Sequence, residues 1–71
     1  MRVNRYARDL KVGDKLYHWD GEGQAETIKE IRQSYNLTHS GSKIINPGYL
    51  VIKCQTFNML VHRNDIRKIE L

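Results

Sequence analysis

The sequence predicts a mainly β fold, a small barrel of about five short strands, and three features carry that expectation. Leu10-Lys11-Val12-Gly13-Asp14 reads as a turn feeding a short alternating run from Lys15 to Trp19. That run stops at Asp20-Gly21, a strong turn signal. Tyr49 to Thr56 then alternates cleanly, with Leu50, Ile52 and Cys54 on one face and Tyr49, Val51 and Lys53 on the other.

Each element follows from its local pattern. Val3, Tyr6, Ala7 and Leu10 fall at helical spacing, which allows one short helical turn before Gly13. Arg2, Arg5 and Arg8 would line its opposite side; the plainer alternative is a loose lead-in whose Leu10 and Val12 plug one end of the barrel. In the first strand Leu16 and His18 point one way, Tyr17 and Trp19 the other. Asp20-Gly21-Glu22-Gly23 makes the next turn, its glycines free to take positive φ. Residues 24–36 admit two readings. Ala25, Ile28, Ile31 and Tyr35 suit one helical face, whereas a strand with a β-bulge between Ile28 and Ile31 also turns both isoleucines to one core. The β flanks favour the strand.

Leu37 to Gly48 is polar and turn-rich and reads as a long loop, with Ile44-Ile45 as an apolar island that forms a short strand or anchors it. Phe57, Met59 and Val61 alternate with Asn58, Leu60 and His62 in a further strand, and apolar residues on both of its sides imply double-sided burial or a twist. Arg63-Asn64-Asp65-Ile66 is a short turn, helical in character, that Asp or Asn can cap. Arg67 to Leu71 closes the chain as a last short strand.

With 71 residues the chain makes one domain, 1–71. A chain this short buries only about 60% of its unfolded surface, which points to a shallow groove or loop site and away from an enzyme. Its one cysteine, Cys54, has no partner for a disulfide, and no paired cysteines have zinc-site spacing. Met1 to Arg5 is charged with no apolar stretch behind it, unlike a signal peptide. The longest apolar run, Tyr49-Leu50-Val51-Ile52, is far short of the roughly 20 residues of a membrane span. A reducing, cytoplasmic setting without membrane contact is the expectation, and Asn36-Leu37-Thr38 then matches the glycosylation sequon by chance.

Twelve Lys and Arg against eight Asp and Glu give a net charge of +4 and a pI near 9.5. That balance favours an anionic partner, although a small domain also needs such charge merely to stay dissolved. Five of the positive charges, Arg2, Arg5, Arg8, Lys11 and Lys15, crowd the opening against Asp9 and Asp14.

The order of elements, with Asn64-Asp65-Ile66 as a turn before Lys68-Ile69-Glu70-Leu71, resembles SH3-like small barrels. Asp9-Leu10-Lys11-Val12-Gly13-Asp14, followed by Ile28 and Ile31, is similar to the opening strands of KOW-type barrels and Hint-type domains. The resemblance implies a binding platform. It spans most of the chain as architecture but only this short segment as motif. Hint domains need an N-terminal Cys or Ser nucleophile and a downstream catalytic His; no residue here stands in a matching position, so no self-cleavage carries over. Tyr17, Trp19, Tyr49 and Glu22 provide residue types used by peptide-binding SH3 domains, without their motif.

No constellation calls for catalysis, a metal or a cofactor. His18, His39, His62 and Cys54 match no compact ligand spacing and read as ordinary surface or half-buried side chains. A Cys54–His62 pair could meet across neighbouring strands, yet a mid-strand cysteine usually serves as a small apolar core residue. Asp9, Asp14 and Asp20 read as turn caps and solvated charges, and Gly21-Glu22-Gly23 lacks the residues of a phosphate loop. Basic residues interleaved with aromatics carry the leading expectation, a non-enzymatic nucleic-acid-binding module. Arg2, Arg5, Arg8, Lys15, Lys43 and Lys53 would neutralise phosphates while Tyr17 and Tyr49 stack on bases. Tyr35 and His39 beside the long loop extend that surface, whereas Trp19 fits a core position better. The alternative is a protein-interaction module or small inhibitor, of the accessory kind a phage or plasmid encodes, docking on an acidic protein through the long loop or a strand edge. A monomer and a homo-oligomer are both open.

Overall fold

The computed structural model describes residues 1–18 and 23–71, and they are mainly β. The strands run β1 (Arg2–Tyr6), β2 (Lys15–Leu16), β3 (Glu26–Thr27), β4 (Glu30–Leu37), β5 (Lys43–Lys53), β6 (Asn58–His62) and β7 (Ile66–Glu70), with a 3-10 helix at Ala7–Asp9. All pair antiparallel, in a four-stranded sheet ordered β1-β7-β2-β3 and a three-stranded sheet ordered β4-β5-β6. Among the described residues the ladders make two sheets and do not close into one barrel. No helix there is long and apolar enough to cross a membrane.

The core lies between the sheets. Leu16 and Ile69 come from the first sheet, Ile52, Met59 and Val61 from the second, and Ala7, Leu10, Ile28 and Cys54 from the connections. Val3, Ile31, Leu50 and Phe57 pack around them. Alternation explains the choice: Leu50 and Ile52 face in, while Tyr49 on the other face of β5 stays exposed, as does Leu60 on β6. The outer face is therefore open, and the double-sided burial considered for β6 does not occur. Full burial of a side chain such as Ile52 contributes about 1.5–3 kcal/mol.

Two corners carry the chain between sheets. At the first, the Ile28 N–H donates to the Asp14 carbonyl at 2.8 Å and its carbonyl accepts from Gly13 at 3.0 Å, while the Lys29 N–H donates to Lys53 in β5 at 2.7 Å. At the second, His62 to Asp65 forms a tight turn closed by Asp65 N–H to the His62 carbonyl at 2.9 Å.

The structure corrects several expectations. Residues 2–6 form a strand, because β7 offers them a full ladder from Arg2↔Glu70 to Tyr6↔Ile66; helical character is confined to Ala7–Asp9. The helical turn before the last strand is the non-helical turn just described. The segment 24–36 is β, yet Ile28 and Ile31 are separated by a break between β3 and β4, and the register shift falls later, between Gln33 and Tyr35. The expected loop from Leu37 to Gly48 shrinks to Thr38 to Ser42, since β5 begins at Lys43. The first strand, expected from Lys15 to Trp19, is Lys15–Leu16 among the described residues, because only these two pair with β3 and β7; Tyr17 and His18 fall outside it, and Trp19 and the turn Asp20-Gly21-Glu22 lie outside the described residues.

Two carboxylates tie distant parts together. Glu70 accepts from the Met1 ammonium at 2.7 Å and from the Tyr17 hydroxyl at 2.5 Å. Glu26 accepts from the Thr56 hydroxyl and, at 2.7 Å, from the Thr56 N–H, joining β3 to the β5–β6 turn. The Met1 ammonium and then Tyr17 hold the Glu70 carboxyl below its ordinary 4.5; Thr56, first through its hydroxyl and then its N–H, does the same for Glu26. A depressed folded-state pKa makes these contributions complete above the unfolded value and lost as pH falls through the folded one. Urea midpoints should therefore hold steady from about pH 7 to about pH 5 and fall at lower pH. The double variant Glu26→Gln/Glu70→Gln should be less stable at neutral pH and show a shallower acid decline. An acid decline as steep as that of the parent would show that other carboxylates cause it.

Candidate nucleic-acid interface

The site grows from an irregularity in the β4–β5 ladder. Gln33 stands opposite Leu50, but Tyr35 stands opposite Ile45, so Asn46-Pro47-Gly48-Tyr49 bulges out against Ser34 alone. Proline cannot donate to a ladder, and Gly48 takes a φ of +80°, so the sequence breaks the pairing here. Side chains replace the lost ladder bonds. The Gln33 amide donates to the carbonyls of Asn46 at 2.8 Å and Tyr49 at 2.9 Å. The Asn46 amide donates to the buried Ser34 hydroxyl at 3.1 Å, and Asn36 donates to Asn46 Oδ1 at 2.9 Å. The bulge is pinned on both sides.

The second corner packs against this bulge. The Arg63 N–H donates to the Gly48 carbonyl at 2.6 Å, and the Arg8 N–H donates to the Arg63 carbonyl at 3.1 Å. His62 stands edge-on to Tyr49, with ring centroids 5.1 Å apart; its N–H donates to Asp65 Oδ2 and its Nδ1 accepts from Asn64 N–H. Between corner and bulge opens a cleft of roughly 220 Å³ lined by Arg8, Gln33, Gly48, Leu50 and Arg63. Arg8 rests on the Tyr6 ring, 4.2 Å from its centroid, and donates to Asn64 Oδ1 at 2.6 Å, a neutral acceptor that leaves the charge uncompensated. Among the described residues no carboxylate lines the cleft and neither arginine forms an ion pair. Two guanidinium groups without counter-charges suit a phosphate or carboxylate, which their planar donor forks match geometrically.

The residues expected from sequence do not share one surface. Arg2 lies over Tyr17, 4.3 Å from the ring centroid, and Tyr17 is only 8% exposed with its hydroxyl on Glu70. That ring is enclosed, so it presents no stacking face. Lys15 sits opposite Glu70 in the first sheet, and Arg5 is paired opposite Arg67. In the second sheet, Lys53 approaches Glu30 at 3.5 Å and Tyr49 remains 43% exposed. Lys43 lies farther out with its ammonium 4.5 Å from the Tyr35 centroid. Arg8 alone of the set enters the cleft.

Arg63, Gln33 and the bulge residues were missed. One sequence signal does point to them: residues 31–64 contain no aspartate or glutamate, yet hold Arg32, Lys43, Lys53 and Arg63. That acid-free stretch supplies the whole of β5 and β6 and nearly all of β4. Cys54 and His62 lie at opposite ends of the β5–β6 ladder, which runs from Tyr49↔His62 to Lys53↔Asn58. Burial, with Glu26 nearby, pushes the Cys54 thiol above its ordinary range and keeps it un-ionised. Among the described residues, no group of three or more His, Cys, Asp or Glu could hold a metal ion. No family model matches this chain, and no curated protein or solved structure matches it either.

Two outcomes test this construction. A Cβ at Gly48 would lie 2.7 Å from His62 Nε2, on a backbone already at positive φ. Gly48→Ala should cost about 1–3 kcal/mol in chemical denaturation. It should cost more than Gly41→Ala, where φ is also positive but the space is open. Equal losses would show that His62 yields freely. Separately, iodoacetamide at neutral pH should alkylate Cys54 more slowly in the folded chain than in urea; equal rates would contradict its burial.

Proposed function

We propose that this chain is a non-catalytic module that binds nucleic acid through its phosphates, centred on the cleft of Arg8 and Arg63. The observation that carries this reading is that pair of uncompensated guanidinium groups beside a sheet whose residues 31–64 lack any carboxylate. An anionic polymer is attracted along such a surface without meeting local repulsion. Arg2, Arg5, Lys15, Lys43 and Lys53 extend the field as outlying cations. Tyr49 and the Arg8–Tyr6 stack offer aromatic surface for bases, Tyr6 and Tyr49 each being 43% exposed. The coarse architecture is in keeping with this reading: two sheets over one small core leave room for surface grooves and little for an enclosed active site. The chain acts without metal or cofactor, in a cytoplasmic setting.

Binding of labelled mixed-sequence DNA and RNA, single- and double-stranded, across a salt series tests this. Log affinity should fall linearly with log salt, by about 0.9 per phosphate engaged on duplex DNA and about 0.7 on single strands. The double variant Arg8→Gln/Arg63→Gln should lose at least about tenfold in affinity and flatten the slope by roughly two phosphates' worth. Lys15→Gln should change both far less. No binding at low salt by folded protein would overturn the proposal and leave an acidic protein as the partner to seek.

A further inference from the structure

The outer half of the β4–β5 hairpin belongs to neither sheet's packing. Beyond the bulge it continues as a two-stranded ribbon, with Tyr35↔Ile45, Asn36↔Ile44 and Leu37↔Lys43 paired. β6 reaches only Tyr49 to Lys53 of β5, so among the described residues no strand pairs with either edge of the ribbon, and none of its residues joins the core. The molecule measures 46 × 23 × 20 Å. At the tip, Thr38 N–H donates to the Ser42 carbonyl at 2.8 Å and Gly41 N–H to the Thr38 carbonyl at 3.0 Å, closing a tight turn.

This ribbon carries apolar side chains in water. Leu37 is 67% exposed, Ile45 61% and Ile44 56%. Residues opposite one another, or two apart on one strand, share a face. Tyr35, Leu37, Lys43 and Ile45 therefore lie together, with Ile44 on the reverse. The ribbon has no carboxylate and this face carries Lys43, its ammonium 4.5 Å from the Tyr35 centroid; Arg32 approaches the same ring at 5.6 Å from below the ribbon, where it also lies 3.7 Å from Glu30. A second copy would bring Lys43 against its like, with no acid on the ribbon to pair it. An anionic partner with apolar features meets both demands.

We propose that the ribbon of residues 35–45 inserts into the major groove of duplex nucleic acid. This rests on the nucleic-acid reading above and narrows it to duplex DNA as target. The major groove, about 12 Å wide, admits a two-stranded β-ribbon, whereas the minor groove, about 6 Å wide, does not without deformation. Leu37 and Ile45 meet thymine methyl groups and Lys43 reaches guanine O6 and N7 or a phosphate, contacts of the kind the major groove alone offers in full. The bulge holding the ribbon's root also walls the cleft of Arg8 and Arg63, so those guanidinium groups take phosphates on the strand flanking the entered groove.

Dimethyl sulfate probing of a mixed-sequence duplex, with and without the full chain, tests the insertion, because it methylates guanine N7 in the major groove and adenine N3 in the minor. Guanine N7 should be protected and adenine N3 should not. Leu37→Gln/Ile45→Gln changes only exposed side chains; it should keep the parental melting temperature, lose N7 protection, and weaken duplex binding about tenfold with little effect on single strands. Duplex binding without N7 protection, or unchanged in this variant, overturns the insertion and leaves the nucleic-acid reading standing. Absence of any nucleic-acid binding overturns both. A dimer of the free protein in sedimentation that this variant dissociates also overturns the insertion, since the ribbon then belongs to a second copy.

Discussion

Everything in this molecule hangs on Ile28. Its side chain is wholly buried while its backbone bonds both ways to the Gly13-Asp14 turn, and the next residue bonds into β5. Those bonds fix the first sheet against the second at one corner and leave no freedom for the sheets to slide. A small chain has few such opportunities, because its core holds only a handful of fully enclosed side chains. The second corner, His62 to Asp65, locks the opposite side through Ala7 and Arg8, whose N–H groups bond to Asp65 and Arg63. With both corners fixed, the core closes around Leu16, Ile52, Met59 and Val61 and the outer faces are free to carry charge.

The second corner is also where stability and the proposed function meet. An arginine in a turn normally swings in solvent, where a charge contributes little. Arg8 and Arg63 instead have their backbones bonded in series to Gly48, so the two guanidinium groups start from a fixed base. Glycine is needed at 48 for two reasons that coincide: the bulge requires positive φ, and the His62 imidazole occupies the space a side chain would fill. Gln33 then satisfies the Asn46 and Tyr49 carbonyls that the irregular ladder leaves over, while Ser34, Asn36 and Asn46 bond side chain to side chain beside it.

The fold was legible wherever periodicity is local. Leu50, Ile52, Met59 and Val61 declare their inward face by simple alternation, and the β flanks rightly drew residues 24–36 away from a helix. The errors arose where the deciding partner lies far along the chain. Val3, Tyr6, Ala7 and Leu10 do have helical spacing, but only a ladder with β7, from the other end of the sequence, makes residues 2–6 a strand. Asn46-Pro47-Gly48 carries every mark of a loop; nothing local shows that pairing resumes beyond it at Ile45. The cleft was less legible still. Arg63 looked like turn filler, and Tyr17 looked like a stacking residue until Glu70 and Arg2, both distant in sequence, enclosed it.

Charge placement divides the chain into two kinds of support. Four carboxylates before Ile31 and after Asn64 work as clamps: Glu26 on Thr56, Asp14 on the Lys11 N–H, Asp65 on the His62 N–H, Glu70 on Tyr17 and the amino terminus. Between them the chain relies on neutral donors and acceptors alone, Gln33, Ser34, Asn36 and Asn46, to hold its least regular backbone. Gln33 donates to the carbonyls of Asn46 and Tyr49, which a carboxylate, an acceptor only, cannot do. The same amides leave the arginines of the cleft uncancelled and place no charge there to repel a polyanion. Backbone satisfaction and the proposed anionic ligand thus make one demand of the bulge, donors without acids.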